Sequence, residues 1–203
     1  MKLKDRVRLL RSHGLKSTPA AIWDQQFEAG QWDFLGKFTE VPRNSVVGGY
    51  CRLASSNPAI LDVGCGTGVL QTWLGNVGYA DYVGVDLSAA AIDQAQARAN
   101  ANTHFAVSAG ESYTPDRTFD VIVFNESLCY MVDPVSVVRW YSRFLTETGR
   151  YVISLWDCRE GWNVWRTCKR ELIVLDETRV VRSDASWRIR SCRPVDIQKK
   201  STG

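Results

Sequence analysis

The sequence predicts an α/β fold, a doubly wound and mostly parallel sheet with an antiparallel hairpin at its C-terminal edge. From residue 59 onward, short apolar runs alternate with helical segments, which is typical of parallel strands joined by helices. The last two apolar runs, near residues 172–181 and 186–193, have no helix between them. Only the turn-like pair Ser183-Asp184 separates them, which indicates an antiparallel edge.

The segment before the sheet is predicted to be helical and is rich in aromatic residues. Three helices are expected here: a basic helix over residues 1–18, a helix with Thr18 as N-cap and Pro19 in its first position, and a helix over residues 44–55. We expect one domain overall, in which residues 1–55 form this helical segment and residues 56–203 form the sheet with its helices.

The alternating part is predicted element by element. Strands are expected at residues 60–63, 82–85, 104–107, 119–124 and 150–155. Helices are expected at residues 69–77, 89–101, 134–145 and 159–169. Ser88 is placed to cap the second of these helices, and Gly149 to stop the third.

Composition narrows the class of protein. A chain of 203 residues with 45% hydrophobic and 23% charged residues suits one soluble domain. No apolar run approaches the roughly 18 residues of a membrane span, and the N-terminus lacks a secretory signal, so we expect a cytoplasmic protein without membrane contact. A net charge of +3 argues against nucleic acid as a partner. The six cysteines form no metal-ligand pattern, so free thiols and no metal site are expected.

The first functional signal is the stretch Ile-Leu-Asp-Val-Gly-Cys-Gly-Thr-Gly at residues 60–68. Its apolar strand contains Asp62 and leads into Gly64, Gly66 and Gly68. Glycine allows unusual backbone angles and close approach of a ligand, and ligands of open α/β sheets bind at the carboxyl ends of strands. The spacing is neither the GxGxxG of dinucleotide sites nor the GK[ST] of phosphate loops.

A second acidic residue, Asp86, ends the second predicted strand in Val-Gly-Val-Asp-Leu-Ser. A carboxylate in this place can accept hydrogen bonds from both hydroxyls of a ribose. The alternative is that Asp86 caps the next helix, although Ser88 already supplies a cap. Asp62 and Asp86 together predict a nucleotide-like ligand.

These motifs resemble those of the class I S-adenosylmethionine (SAM)-dependent methyltransferases, from residue 59 onward. The resemblance implies a three-layer Rossmann-like fold with an N-terminal helical lid, SAM as cofactor and S-adenosylhomocysteine as product. It implies cofactor contacts from Asp62, Gly64, Cys65, Gly66, Gly68, Asp86, Leu87, Gly110, Glu111 and Asn125. Members often carry an acid where Ala109 stands, so Glu111 or the backbone at Gly110 is expected to serve the adenine.

The acceptor side is predicted from residues that follow strands four and five. Candidate catalytic groups are Glu126, Tyr130 and Asp157, with His13 on the N-terminal segment as a further one. A hydroxyl acceptor usually needs a general base, whereas a neutral amine needs no strong one. Since a sulfonium is a cation, Trp23 and Trp32 are expected near the cofactor or the acceptor. Trp156, Trp162 and Trp165 are candidates for the acceptor wall.

The resemblance implies an enzyme that methylates a nitrogen or oxygen of a small-molecule acceptor, like bacterial natural-product or nodulation-factor methyltransferases, and acts as a monomer or homodimer. Two alternatives stay open: an RNA or protein methyltransferase that uses the basic chain ends, and a SAM-binding protein without catalysis. The [DN]PP[YF] signature of amino-directed DNA methylation is absent, because Glu126-Ser127-Leu128 follows Asn125.

Overall fold

The computed structural model describes residues 18–75 and 78–195. Seven strands form one sheet in the order β3-β2-β1-β4-β5-β7-β6. They are β1 (Ala59–Val63), β2 (Asp81–Asp86), β3 (Thr103–Val107), β4 (Phe119–Asn125), β5 (Leu145–Trp156), β6 (Leu172–Arg182) and β7 (Ala185–Pro194). The first five run parallel, and β7 is antiparallel to β5 and β6. The predicted fold class, including its antiparallel edge, is confirmed.

The described ranges contain six α-helices and several short 3-10 helices. The α-helices are α1 (Ala20–Glu28), α2 (Val41–Ala54), α3 (Val69–Leu74), α4 (Ala89–Gln96), α5 (Pro134–Tyr141) and α6 (Arg159–Cys168). None of these helices is long and apolar enough to cross a membrane. Residues 1–17, which hold most of the first predicted helix and His13, lie outside the described residues. The predicted helix end at Val77 also lies outside them.

Three predicted helix ends are wrong. Helix α1 begins at Ala20 behind Pro19, so Thr18 is not its cap. Helix α4 stops at Gln96 because the Asn100 side chain accepts hydrogen bonds from Asn102 N and Thr103 Oγ1, which favours a turn over further helix. Gly149 lies inside β5, where a Cβ would approach backbone atoms of Thr146 and Phe119 to about 3.0 Å.

Helices cover both faces of the sheet, which makes three layers. Alternate residues of β1 serve the two sides: Leu61 packs with the face that α5 and α6 cover, and Ile60 packs with the face that α2, α3 and α4 cover. Helix α2 is part of this second layer, since Val47 and Cys51 are fully buried in it. Both faces of the sheet are therefore covered by helices, so a ligand has to bind at the ends of the strands.

Asp24 connects helix α1 to the start of α4 by two hydrogen bonds. The Oδ1 atom of Asp24 accepts hydrogen bonds from Ser88 Oγ (2.6 Å) and Ala90 N (3.2 Å) at the start of α4. The hydrogen bond from Ser88 lowers the pKa of Asp24, so the group stays charged at neutral pH. A negative charge at a helix N-terminus is favourable, and here it comes from another helix.

We predict that Asp24→Ala loosens α1. Loss of a capping carboxylate should raise the rate of amide hydrogen exchange in α1 by roughly five- to tenfold, while β1 and β4 keep their protection. Exchange followed by mass spectrometry measures this. Glu28→Ala, on an exposed position of the same helix, is the matched control. Equal exchange in the two variants would show that Asp24 does not hold the helix.

Candidate active site

A cavity of about 340 Å³ lies at the carboxyl ends of β1, β2 and β4, under α1. It gathers most of the residues predicted from the sequence. These are Trp23, Trp32, Asp62, Gly64, Cys65, Gly66, Asp86, Leu87, Gly110, Glu111, Asn125, Glu126 and Tyr130. Two predicted site residues, Gly68 and Asp157, are not part of its wall.

The loop after β1 is fixed to both neighbouring strands. The backbone N–H groups of Gly64 and Cys65 donate to Val85 O at 2.8 and 3.0 Å. On the other side, Ser127 Oγ donates to Val63 O. Gly64 has a φ of +78°, and a Cβ there would lie 2.4 Å from the Cβ of Ser127. Only glycine combines a positive φ with the absence of a Cβ that would clash with Ser127, so this tight turn requires glycine at position 64.

Gly66 and Gly68 serve different purposes. Gly66 lines the cavity and has a φ of +54°. Gly68 precedes α3 with a φ of +73°, and a Cβ there would lie 2.8 Å from the ring of Phe105. Its place in the motif is thus explained by packing against β3. We find no cavity contact for it.

Asp86 faces the cavity from the end of β2. Its Oδ2 accepts from Gly66 N (2.8 Å) and its Oδ1 from Ser88 N (2.9 Å). A carboxylate has about four acceptor positions, so about two stay open for a ligand. Burial raises the pKa of Asp86, and the two backbone donors act against this rise.

Asp62 is buried, and only one of its two carboxylate oxygens accepts a hydrogen bond. Tyr82 OH donates to its Oδ2 at 2.5 Å, while its Oδ1 has no protein partner among the described residues. Burial raises its pKa to about 7, and the charge of Arg43 acts in the opposite direction. A buried carboxylate oxygen without a partner is costly, and it is satisfied when a ligand donates to it.

Arg43 is a buried cation in the cavity wall that was not predicted from the sequence. Arg43 of α2 lines the cavity, pairs with Glu40 at 3.2 Å and donates to Asn125 Oδ1. Asn125 in turn donates from Nδ2 to Asn44 Oδ1 at 3.2 Å, so protein partners already hold its amide. The predicted helix began at residue 44, which left Arg43 in a connecting segment with no signal of burial.

Glu126 is the only residue other than glycine with a positive φ among the described residues, at 65°. It lines the cavity directly after β4. Its carboxylate accepts from Ser154 Oγ at 3.1 Å and from Trp156 N at 3.2 Å, both at the end of β5. Such backbone conformations cost about 1–3 kcal/mol and cluster at functional sites.

Aromatic rings close the cavity on the side of α1. Trp23 lies edge to face against Tyr130, with ring centroids 5.1 Å apart, and 5.8 Å from Trp32. Trp32 also packs at 6.0 Å from Phe27 and donates from Nε1 to Gln26. Both predicted tryptophans therefore reach the cavity, together with Phe27.

The segment after β3 joins the opposite wall. Glu111 accepts from Val132 N at 2.9 Å. Gly110 accepts at its carbonyl from Tyr141 OH, and a Cβ at this position would lie 2.7 Å from Met131. The loop after β3 is thus closely packed at Gly110.

Three other predicted residues lie elsewhere. Asp157 is turned to the β6–β7 hairpin, where it binds Arg179 at 2.8 Å and Ser186 at 3.0 Å, so its carboxylate is occupied outside the cavity. Trp162 and Trp165 are not part of the cavity wall and line a neighbouring groove instead, while Trp156 lines the cavity. Within the described ranges no three His, Cys, Asp or Glu residues assemble into a metal site.

Part of the chain matches a known protein family. Residues 61–153 match the family model described as a methyltransferase domain. A search of the curated proteins by sequence gave no match.

Solved structures with the same fold cover between 76% and 89% of the chain. The N-methyltransferase NodS from Bradyrhizobium japonicum WM9, in complex with S-adenosyl-L-homocysteine, has a TM-score of 0.72 at 17% identity, over 85% of this chain and 98% of that one. The 1,6-didemethyltoxoflavin-N1-methyltransferase of Burkholderia thailandensis has 0.65 at 18%, over 89% and 92%. The [4+2]-cyclase SpnF has 0.63 at 17%, over 76% and 80%.

We predict that Asp62→Asn changes how stability depends on pH in the ligand-free protein. In the unfolded chain the pKa of an aspartate is near 4, whereas that of Asp62 in the native state is about 7. Between about pH 4 and 7 Asp62 is therefore protonated in the native state and ionised in the unfolded state. Stability therefore falls as pH rises through this window, by up to about 1.4 kcal/mol per pH unit from this group. Asparagine does not titrate, so Asp62→Asn should lack this contribution to the pH dependence of stability.

Urea unfolding at about pH 5, 6 and 7.5 measures the effect. The difference between the free energy of unfolding of Asp62→Asn and that of the wild type should shift in favour of the variant as pH rises. Asp93→Asn, at an exposed position of α4, should keep the wild-type profile. Parallel profiles for wild type and Asp62→Asn would contradict a raised pKa at Asp62.

Proposed function

We propose that this chain, which contains a class I methyltransferase domain, transfers a methyl group from SAM to a nitrogen or oxygen of a small-molecule acceptor. The observation that carries the proposal is the arrangement of Asp62 and Asp86 on either side of one glycine turn, both lining the same cavity. Each offers acceptor positions that the protein leaves open.

The residues present fit SAM. Asp86 would hold the two ribose hydroxyls, and Asp62 Oδ1 would accept from the ammonium of the methionine part, which supplies the missing donor. Leu87 would lie against the adenine, with Glu111 and the backbone at Gly110 near its edge. Gly64, Cys65 and Gly66 would line the methionine part. The Arg43 guanidinium, which is paired with Glu40, also lines this cavity and would lie near the carboxylate of the methionine part.

SAM, when bound, supplies a methyl group that is electrophilic because it is attached to a sulfonium. The chain mainly has to orient the two reactants and exclude water. Trp23, Phe27, Trp32 and Tyr130 form an aromatic wall that does both, and their faces attract a cation. The hydrogen bonds of Asp24 hold this wall in place.

Glu126 is our candidate for the group that contacts the acceptor. Ser154 and Trp156 fix its carboxylate, and its backbone is held in a rare conformation at the cavity wall. A fixed carboxylate can accept a hydrogen bond from an acceptor N–H or O–H and take up its proton. Tyr130 contacts the same space. The ion pairs of Asp157 with Arg179 and Arg188 remove it from this role.

The cavity volume suits a small molecule, since about 340 Å³ lies at the lower end of ligand pockets. We further propose that the protein works in the cytoplasm, as a monomer or homodimer. All six cysteines are free thiols, and four of them are buried, which suits a reducing compartment.

We predict that Asp86→Ala abolishes SAM binding. The change removes the acceptor for two charge-assisted hydrogen bonds, so affinity should fall by about 100-fold or more. Isothermal titration calorimetry with SAM and with S-adenosylhomocysteine measures this. Asp93→Ala serves as control, and thermal unfolding confirms that both variants are folded. Near-normal affinity of a folded Asp86→Ala protein would overturn the cofactor assignment.

We predict that the protein incubated with methyl-labelled SAM and a metabolite extract labels a small molecule. Glu126→Gln should lower kcat/KM for the labelled acceptor by roughly 100-fold. Glu147→Gln, at an exposed position of β5, should not change it. Label found only in RNA or protein would overturn the small-molecule assignment, and binding of SAM without any labelled product would identify a non-catalytic binding protein.

A further inference from the structure

A second and more open groove adjoins the cavity on the side of α6. Its walls come from α6, from the residues around Asp133 that start α5, and from the β6–β7 hairpin. Three residues, Cys129, Met131 and Val132, line both the groove and the cavity. A molecule whose reacting end enters the cavity can thus extend into the groove past these three residues.

The groove has an excess of positive charge. Its basic residues are Arg159, Arg166, Lys169 and Arg190, against the acidic residues Asp133 and Glu160. Asp133 is engaged locally, because its carboxylate accepts from Val135 N and Ser136 N and caps α5. Arg190 is paired with Glu177.

The other three cations are open to solvent. Arg159, Arg166 and Lys169 are all exposed. None of them takes part in an ion pair with another described residue. Arg159 is the first residue of α6, Arg166 lies in its last turn and Lys169 directly follows it, so both ends of this helix bring positive charge to the groove.

Apolar surface lies beside these cations. Trp162, Val132 and Val174 line the groove, and 49%, 49% and 45% of their surface is exposed. Exposed large apolar residues that share one concave surface mark a binding site more often than scattered ones do. The Arg188 guanidinium lies 4.7 Å from the Trp162 ring centroid, which fixes the ring in the groove wall.

We propose that the groove binds an anionic arm of the acceptor, a phosphate, sulfate or carboxylate group carried on an apolar or planar body. This inference rests on the proposed function, because it concerns the substrate of the same site. The anionic group lies against Arg159, Arg166 and Lys169, and the body lies along Trp162 and Met131 toward the cavity. The methylated atom is then at the opposite end of the molecule, near Glu126.

A small acceptor accounts for the groove better than a nucleic acid does. Three unpaired cations match one or two anionic groups, whereas RNA needs a longer basic track. The net charge of +3 for the whole chain leaves little surplus for such a track.

The test uses methyl-labelled SAM and a metabolite extract. The labelled product should be retained on an anion-exchange resin at about pH 8. For the purified acceptor, the double variant Arg166→Glu/Lys169→Glu should raise KM by about tenfold, with kcat within about twofold, because it reverses two charges near the anion. Rising salt should raise the wild-type KM, because it screens the attraction, and should not raise that of the charge-reversed variant.

Arg98→Glu, an exposed arginine outside the groove, is the matched control and should leave KM unchanged. A labelled product that is neutral or cationic would overturn the anionic arm and leave the proposed function standing, and so would an equal KM for the wild type and the double variant. Labelled RNA or acidic protein would overturn the small acceptor. The absence of any labelled product would overturn the proposed function itself.

Discussion

The site depends on the way the turn after β1 is held to the end of β2. Gly64 N and Cys65 N share Val85 O as acceptor, and Gly66 N donates to Asp86. These bonds hold the buried Asp62 and the partly exposed Asp86 beside the same turn. They also leave oxygen lone pairs on both acids directed to the cavity, which is the reason why a ligand with hydroxyl and ammonium donors suits this edge of the sheet.

The sheet and the part of the cavity around the glycine turn could be predicted because their signals are local. An apolar strand, an acid and a glycine turn occupy nine consecutive residues, and Asp86 ends the next strand. The contacts of Arg43 and Asp157 could not be predicted in the same way. Arg43 and Asn125 are 82 positions apart in the chain, and Asp157 is drawn away by Arg179 of a later strand. Such pairings are set by tertiary packing, which leaves no periodic pattern in the sequence.

Proteins that share this fold catalyse different reactions. Two structures of similar shape are N-methyltransferases, and SpnF is a [4+2]-cyclase, all at 17–18% identity to this chain. Fold alone therefore does not determine the reaction, and the variable parts must do so. In this chain we assign that role to the aromatic wall around Trp23, to Glu126 in its rare conformation, and to the basic groove along α6.

We propose that Asp62 and Asp86 together bind one SAM molecule. A crystal structure of the protein with S-adenosylhomocysteine is the sharpest test of this proposal. We expect both ribose hydroxyls within hydrogen-bond distance of the Asp86 carboxylate and the amino group of the ligand on Asp62 Oδ1, either directly or through one water. A ligand whose ribose lies away from Asp86, or a cavity that stays empty at saturating ligand, would contradict it.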